Sequence, residues 1–347
     1  MNTNRILLPT DLSACSLVAF DYASELASSS GAELHILYVD DLRNLIALAP
    51  YTAPNFVVSC ARTQLKERLQ TIKPALADVR CEYHYIEGTP ADEICAFVER
   101  ERIDLVVMSS HGRTGLSRVF LGSVAELVLR KAKCPVLIVK QPHQDHEITE
   151  PAGADRTSEA PVANPVAAIT QTQETVRTVR RILVPYDFSE GSAAALDYAA
   201  QFAAKRARLY ILHVDELLDA HISAFPPSDS PFLHDSSWDK RRRKIKRQLA
   251  KVVPHGAAAV YEHHCLIGAP ADEILAFAER VHIDLIVMGS HGRTGLSRLV
   301  TGSVAEQVMR RSKCPVLVCK GQPKPVALPP KRLAGSPAFH FGEDFAV

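Results

Sequence analysis

The sequence predicts an α/β protein made of two tandem, doubly wound parallel-sheet sandwiches. Three observations carry that prediction. The chain repeats itself once, each copy alternates short apolar runs with longer amphipathic stretches, and the apolar runs are nearly continuous. Strands buried on both faces of a parallel sheet read as continuous apolar runs, whereas half-exposed strands alternate. Regular alternation of strand and helix is the signature of an open α/β sheet.

The repeat is direct. Residues 103–140 and 283–320 are identical at 27 of 38 positions, at an offset of 180. Farther upstream ILLPTDLS (6–13) matches ILVPYDFS (182–189), and ILYVDD (36–41) matches ILHVDE (211–216), at offsets of 176 and 175. GTPADEI (88–94) matches GAPADEI (268–274), again at 180, so a loop of variable length falls between about 41 and 57. A period of this size means two copies of one domain, not a small-repeat solenoid. The expected organisation is domain 1 over 1–140, a flexible linker over 141–179, domain 2 over 180–320 and a disordered tail over 321–347. The linker holds four prolines and no aromatic residue, so it buries too little to offset its ordering entropy. The tail is also proline-rich, which disfavours helix and central strand.

In the first copy, strands are expected near 5–9, 34–39, 80–87, 104–109 and 135–139. Helices are expected near 13–29, 56–72, 91–101 and 122–131. LLP, LHILYV, DLVVM and PVLIV supply the buried strands. Val58, Leu65, Leu69 and Ile72 form a helical stripe, repeated by Trp238, Ile245, Leu249 and Val252. The basic run from Lys240 to Arg247 lies on that second helix and reads as its solvated face; an anionic partner is the other reading.

Composition narrows the function. The 347 residues carry 40 Lys+Arg and 39 Asp+Glu, a net charge of +1, which gives no global drive toward nucleic acid or an anionic membrane. No apolar run reaches the ~18 residues of a membrane span, and no secretory signal is visible. Eight cysteines form no C-x-x-C pair, which suits reduced thiols in a cytoplasmic setting. No H-x-x-x-H or H-E-x-x-H spacing occurs, so no metal ligands are expected.

Open α/β sheets bind ligands beyond the carboxyl ends of their strands, at the point where strand order reverses. Three segments fall there in each copy: Pro9-Thr10-Asp11, Asp40-Asp41 and Ser109-Ser110-His111-Gly112, with Pro185-Tyr186-Asp187, Asp215-Glu216 and Gly289-Ser290-His291-Gly292. The second copy reads Gly289-x-x-Gly292, nine residues, then Gly302-Ser303 at a helix start. Glycines let backbone approach a ligand closely, and free helix amides hold phosphate. Arg293 and Arg298 add positive charge. The plainer reading is that the glycines make turns and the serine caps. Neither a Walker A loop nor a dinucleotide fingerprint is present. Asp11 and Asp187 offer a carboxylate to ribose hydroxyls, an adenine amino group or a metal, or else cap the following helix, where Ser13 and Ser189 compete. His111 and His291 read as loop-stabilising side chains. Asp92-Glu93 and Asp272-Glu273 follow Pro90 and Pro270 and read as first-turn acids facing a helix dipole.

The Pro-x-Asp after strand one, the Gly-rich loop ending in Gly-Ser and the closing CPVLV strand together resemble the universal stress protein family, over roughly 4–140 and 180–320. The resemblance implies five-stranded parallel sandwiches related to adenine-nucleotide-hydrolase-like folds, and ATP as ligand, with or without Mg2+. It places the nucleotide contacts of the second copy at Pro185, Asp187, Val214, Gly289, Gly292, Arg293, Gly302, Ser303 and Val304. In the first copy they are Pro9, Asp11, Val39, Gly112, Arg113, Gly122, Ser123 and Val124. Ser109 stands where the pattern has its first glycine, so the second copy is the expected binder. The implied function is a cytoplasmic ATP-binding stress-response protein that acts by nucleotide-dependent association rather than fast catalysis. The alternatives are a scaffold without nucleotide and a slow ATPase. Family members dimerise through the closing strand, so PVLIV and PVLVC are expected to join the copies as an internal pseudo-dimer, with homo-oligomers also open.

Overall fold

The computed structural model describes residues 3–41, 54–74, 76, 78–110, 121–140, 179–203, 207–216, 236–255, 260–292, 302–320 and 338–339. The first copy runs β1 (Arg5–Thr10), α1 (Ala14–Ser30), β2 (Glu33–Asp40), α2 (Pro54–Thr71), β3 (Cys81–Glu87), α3 (Pro90–Arg100), β4 (Leu105–Ser109), α4 (Ser123–Lys131) and β5 (Val136–Val139). The second runs β6 (Arg181–Pro185), α5 (Glu190–Phe202), β7 (Arg208–Asp215), α6 (Ser236–Leu249), β8 (Val260–Ile267), α7 (Pro270–Val281), β9 (Leu285–Gly289), α8 (Ser303–Arg311) and β10 (Val316–Cys319). A two-residue strand, β11 (Ala338–Phe339), pairs with β8. The proposed linker and most of the tail lie outside the described residues.

Within each copy the strands are parallel, in the order β3-β2-β1-β4-β5 and β8-β7-β6-β9-β10. The order reverses between β1 and β4, and between β6 and β9. Those two clefts are the switch points. The copies meet edge to edge: β10 pairs antiparallel with β5, setting Val316 opposite Ile138, Leu317 opposite Leu137 and Val318 opposite Val136. The result is one sheet in which β5–β10 is the antiparallel seam among the described strands. Joining the two edges removes unpaired N–H and C=O groups that would otherwise invite another chain.

Both sheet faces are covered. One face buries Phe97 and Ile94 of α3, Val128 of α4, Phe277 of α7 and Val308 of α8. The other buries Phe20 of α1, Leu69 of α2, Ala195 of α5 and Leu249 of α6. Each apolar layer includes residues from both copies, so the core continues through the seam. Each fully buried aliphatic side chain contributes about 1.5–3 kcal/mol from removal of apolar surface from water. In the amphipathic stripes, Leu69, Ile245 and Leu249 are buried, while Leu65, Ile72 and Val252 are partly so; the side chains of Val58 and Trp238 lie outside the described residues. No helix among the described residues is long and apolar enough to cross a membrane.

Candidate functional site

The two loops after the first strands are built alike. Ser13 caps α1 by accepting from the Ser16 amide, and Ser189 caps α5 by accepting from Ser192. The capping role that was open for Asp11 and Asp187 therefore falls to the serines. Each aspartate uses Oδ1 to hold the serine, at 3.0 Å from its amide and 2.6 or 2.5 Å from its hydroxyl. Between aspartate and serine the chain turns through a left-handed residue, Leu12 (φ 61°) or Phe188 (φ 66°). A non-glycine residue there is strained, and such strain clusters at functional loops. Nothing in the local sequence signals that turn.

In the second copy the glycines bring three segments together, the turn between β6 and α5, the loop after β9 and the start of α8. A Cβ added to Gly292 would lie 2.9 Å from Asp187 Oδ2, so the second carboxylate oxygen of Asp187 faces the loop after β9. Gly302 donates its amide to the Ser290 carbonyl at 2.8 Å and opens α8 without any side-chain cap. Gly302, at the N-cap, offers the first-turn amides of α8 no side-chain acceptor, and Ser303 is exposed beside them. Unsatisfied amides plus the helix dipole make such an end a ready acceptor of anionic groups. Val304 packs partly against the core and Val214 sits half-buried at the end of β7. Pro185 ends β6.

Gly289 has a different reason for being glycine. A Cβ there would lie 2.7 Å from the Gly191 carbonyl carbon and 2.9 Å from its oxygen. Conversely, a Cβ on Gly191 would meet the His291 carbonyl at 2.8 Å. The first glycine of the pattern thus admits the first turn of α5 against the end of β9. In the first copy the equivalent positions hold Cys15 and Ser109. Both glycines of that contact are replaced together.

Gly122 opens α4 as Gly302 opens α8: its amide donates to Ser110 at 2.8 Å and the helix has no side-chain cap. Pro9 is buried at the end of β1, Val39 is half-buried near the end of β2, Ser123 is exposed and Val124 packs partly against the core. Gly112, Arg113, Arg293 and Arg298 lie outside the described residues, as does His111. His291 has Nδ1 2.9 Å from Ser290 Oγ, a side-chain rather than a backbone contact, and its buried Nε2 finds no partner among the described residues.

Asp40 and Asp215, the last residues of β2 and β7, are held by polar side chains of neighbouring elements. Asp40 is 3% exposed, accepts from Tyr85 at 2.5 Å and lies 3.7 Å from Arg62. Asp215 is held by two Arg241 nitrogens at 2.6 and 3.1 Å. Burial and the Asp40 carboxylate push the Tyr85 hydroxyl well above the usual phenol range. Asp92 and Asp272 lie in first helical turns and pair with Lys131 and Arg311, each at 2.6 Å, as expected for surface acids at helix starts. The remaining described charges from Lys240 to Arg247 are mainly exposed.

Comparison with known proteins follows the same two-copy division. The sequence profile of the Universal stress protein family matches residues 2–140 and 178–320. A universal stress protein of Methanocaldococcus jannaschii is 36% identical over 143 residues, covering 41% of this chain and 84% of that protein. Universal stress protein YxiE of Bacillus subtilis is 32% identical over 151 residues, 40% of this chain and 98% of that protein. The crystal structure of a universal stress protein from Archaeoglobus fulgidus superposes with a TM-score of 0.58 at 24% identity, covering 92% of this chain and 99% of that one. That last likeness concerns the fold.

Proposed function

This chain belongs to the universal stress protein family, and from that premise we propose that its second copy holds ATP and acts through nucleotide-dependent association. The observation that carries the reading is one cleft with two complementary walls. One wall is the uncapped start of α8 at Gly302; the other is Asp187, whose Oδ2 faces Gly292. The parts of ATP match these groups in kind. Phosphate suits helix amides, where the dipole adds about 0.3–1 kcal/mol. Ribose hydroxyls suit a carboxylate acceptor. Pro185 and Val214 offer apolar surface to a base, and Arg293 belongs to the same set by its place in the motif. Mg2+ would accompany the phosphates as a counter-ion. The first copy offers the same helix start at Gly122 and the same aspartate, Asp11, and ranks second because Ser109 departs from the pattern.

Association rather than turnover fits the side chains at hand. His291 is engaged by Ser290, and the carboxylate of Asp187 is half committed to Ser189. A slow ATPase remains the enzymatic alternative, since loop amides also stabilise developing phosphate charge. The antiparallel β5–β10 seam favours a second reading, a scaffold whose copies pack as an internal pseudo-dimer without nucleotide.

Purified full-length protein is denatured and the released nucleotide is identified by chromatography, alongside calorimetric titration with Mg-ATP. ATP or ADP near one equivalent per chain, with affinity reduced at least tenfold in Asp187→Ala, is the expected result. A tenfold loss corresponds to about 1.4 kcal/mol. Absence of bound nucleotide, together with no thermal shift on adding Mg-ATP, overturns the reading in favour of the scaffold.

A further inference from the structure

Away from both clefts, three potential metal ligands converge on one sheet face of the first copy. His35 on β2 is in register with Glu82 on β3, and His84 lies two residues farther along β3 on the same face. His35 Nδ1 is 3.1 Å from His84 Nε2 and 3.5 Å from Glu82 Oε2, and His84 Nε2 is 3.7 Å from that same oxygen. Zinc binds histidine and carboxylate at roughly 2.0–2.2 Å in tetrahedral geometry, which places donors on the order of 3.3 Å apart. The observed triangle has that size.

The surroundings complete the argument. His35 is 2% exposed, yet its Nε2 has no hydrogen-bond partner among the described residues; Glu33 Oε2 lies 3.7 Å from it. A buried polar atom without a partner is destabilising. A cation on Nδ1 fixes the proton on Nε2, aimed at Glu33, which is the carboxylate–histidine–metal relay that orients ligating imidazoles. Phe97 packs edge-on to both rings, at 6.0 and 4.7 Å between centroids, and limits their rotation. Glu82 is half exposed and His84 partly so, which leaves an entry path and a coordination position open to solvent.

The second copy lacks the arrangement. Glu262 and His264 keep the places of Glu82 and His84, but Tyr210 stands in register with Glu262 where His35 would be. Arg208 replaces Glu33 and takes Glu262 at 2.7 Å. An arginine and a phenol there repel and displace a cation.

We propose that His35, Glu82 and His84 form a divalent-metal site of the zinc class in the first copy, with Glu33 as the carboxylate that positions His35. The proposal is independent of nucleotide binding. It is tested on the full chain, stripped with chelator and titrated with Zn2+, then with Co2+ as a spectroscopic probe. One saturable Zn2+ equivalent per chain is expected, with a cobalt spectrum free of thiolate charge-transfer bands. His35→Tyr, which installs the residue already accommodated in the second copy, and His84→Ala each weaken binding at least a hundredfold. Glu33→Gln weakens it about tenfold to a hundredfold, and His264→Ala leaves it unchanged. Cooperative melting of the metal-free variants shows that the fold is retained. No saturable equivalent, an equivalent untouched by both His35→Tyr and His84→Ala, or a thiolate-bound cobalt spectrum overturns the proposal.

Discussion

The two copies share a scaffold and differ where neighbouring segments touch. At the switch-point cleft the second copy sets Gly289 against Gly191, and the first has Ser109 and Cys15 at the corresponding positions. At the outer strands the first copy sets His35 and Glu33 beside Glu82 and His84, and the second has Tyr210 and Arg208 beside Glu262 and His264. In both places the changes come in contacting pairs. Duplicated domains thus diverge by local sets of residues that must fit each other, while the strands beneath them keep their order. The serine caps of α1 and α5, the glycine starts of α4 and α8 and the strand order are retained in both copies.

The largest effect is expected from moving the metal donors into the second copy. Arg208→Glu combined with Tyr210→His rebuilds the first copy's donor set in the second. The expected outcome is a rise from one Zn2+ equivalent per chain to two in the same titration. A rise that also occurs with Arg208→Glu alone breaks the assignment of Tyr210 as the displaced ligand position.

A smaller effect tests the cleft. Gly289→Ala puts a Cβ 2.7 Å from the Gly191 backbone, where nothing but main chain can yield. Crowding of this kind costs about 1–3 kcal/mol. Ser109→Ala keeps the Cβ and removes a hydroxyl, at a cost of about 0.5–1.5 kcal/mol. Urea unfolding of the two variants measures the difference. Equal losses would mean that both copies tolerate a side chain there.

The smallest effect is in pH. His84 in the first copy and His263 in the second are both pushed below the ordinary histidine value of 6.5, in each case chiefly by burial. Depressed basicity in the fold means that the unfolded chain binds protons more readily. The stabilisation is therefore present above pH 6.5 and is lost as pH falls through the lower folded values. Melting of metal-free protein at successive pH values should show a decline beginning below about 6.5, reduced in His84→Phe and further reduced when His263→Phe is added. A flat profile in the parent protein removes both groups from the account.

Much of the site could be read along the chain. The Gly-x-x-Gly loop, the Gly-Ser helix start and the Pro-x-Asp after strand one are contiguous motifs, and the switch point follows from α/β topology. The elements too were legible, because continuous apolar runs and helical stripes have periods visible in sequence. Other features were not. The left-handed turns at Leu12 and Phe188 occupy residues with no preference for that conformation. The two roles of glycine could not be separated either. Gly289 and Gly292 look alike in the motif, yet one makes room for helix α5 and the other faces a carboxylate.

By itself the sequence determined that the chain is a tandem repeat, that each copy is a buried parallel sheet wrapped by helices, and which loops lie at the strand ends. These are periodic or contiguous properties, written in the order of residues. The tertiary structure decided the antiparallel register of the β5–β10 seam, whose two strands the family resemblance had singled out, the pairing of Gly289 with Gly191 and the meeting of His35 with Glu82 and His84. Metal-ligand spacings along a chain detect donors that share one helix or one turn. His35 and His84 are 49 residues apart and meet only because sheet register sets β2 beside β3. Register is fixed by the burial of two whole faces at once, and no short stretch of sequence contains it.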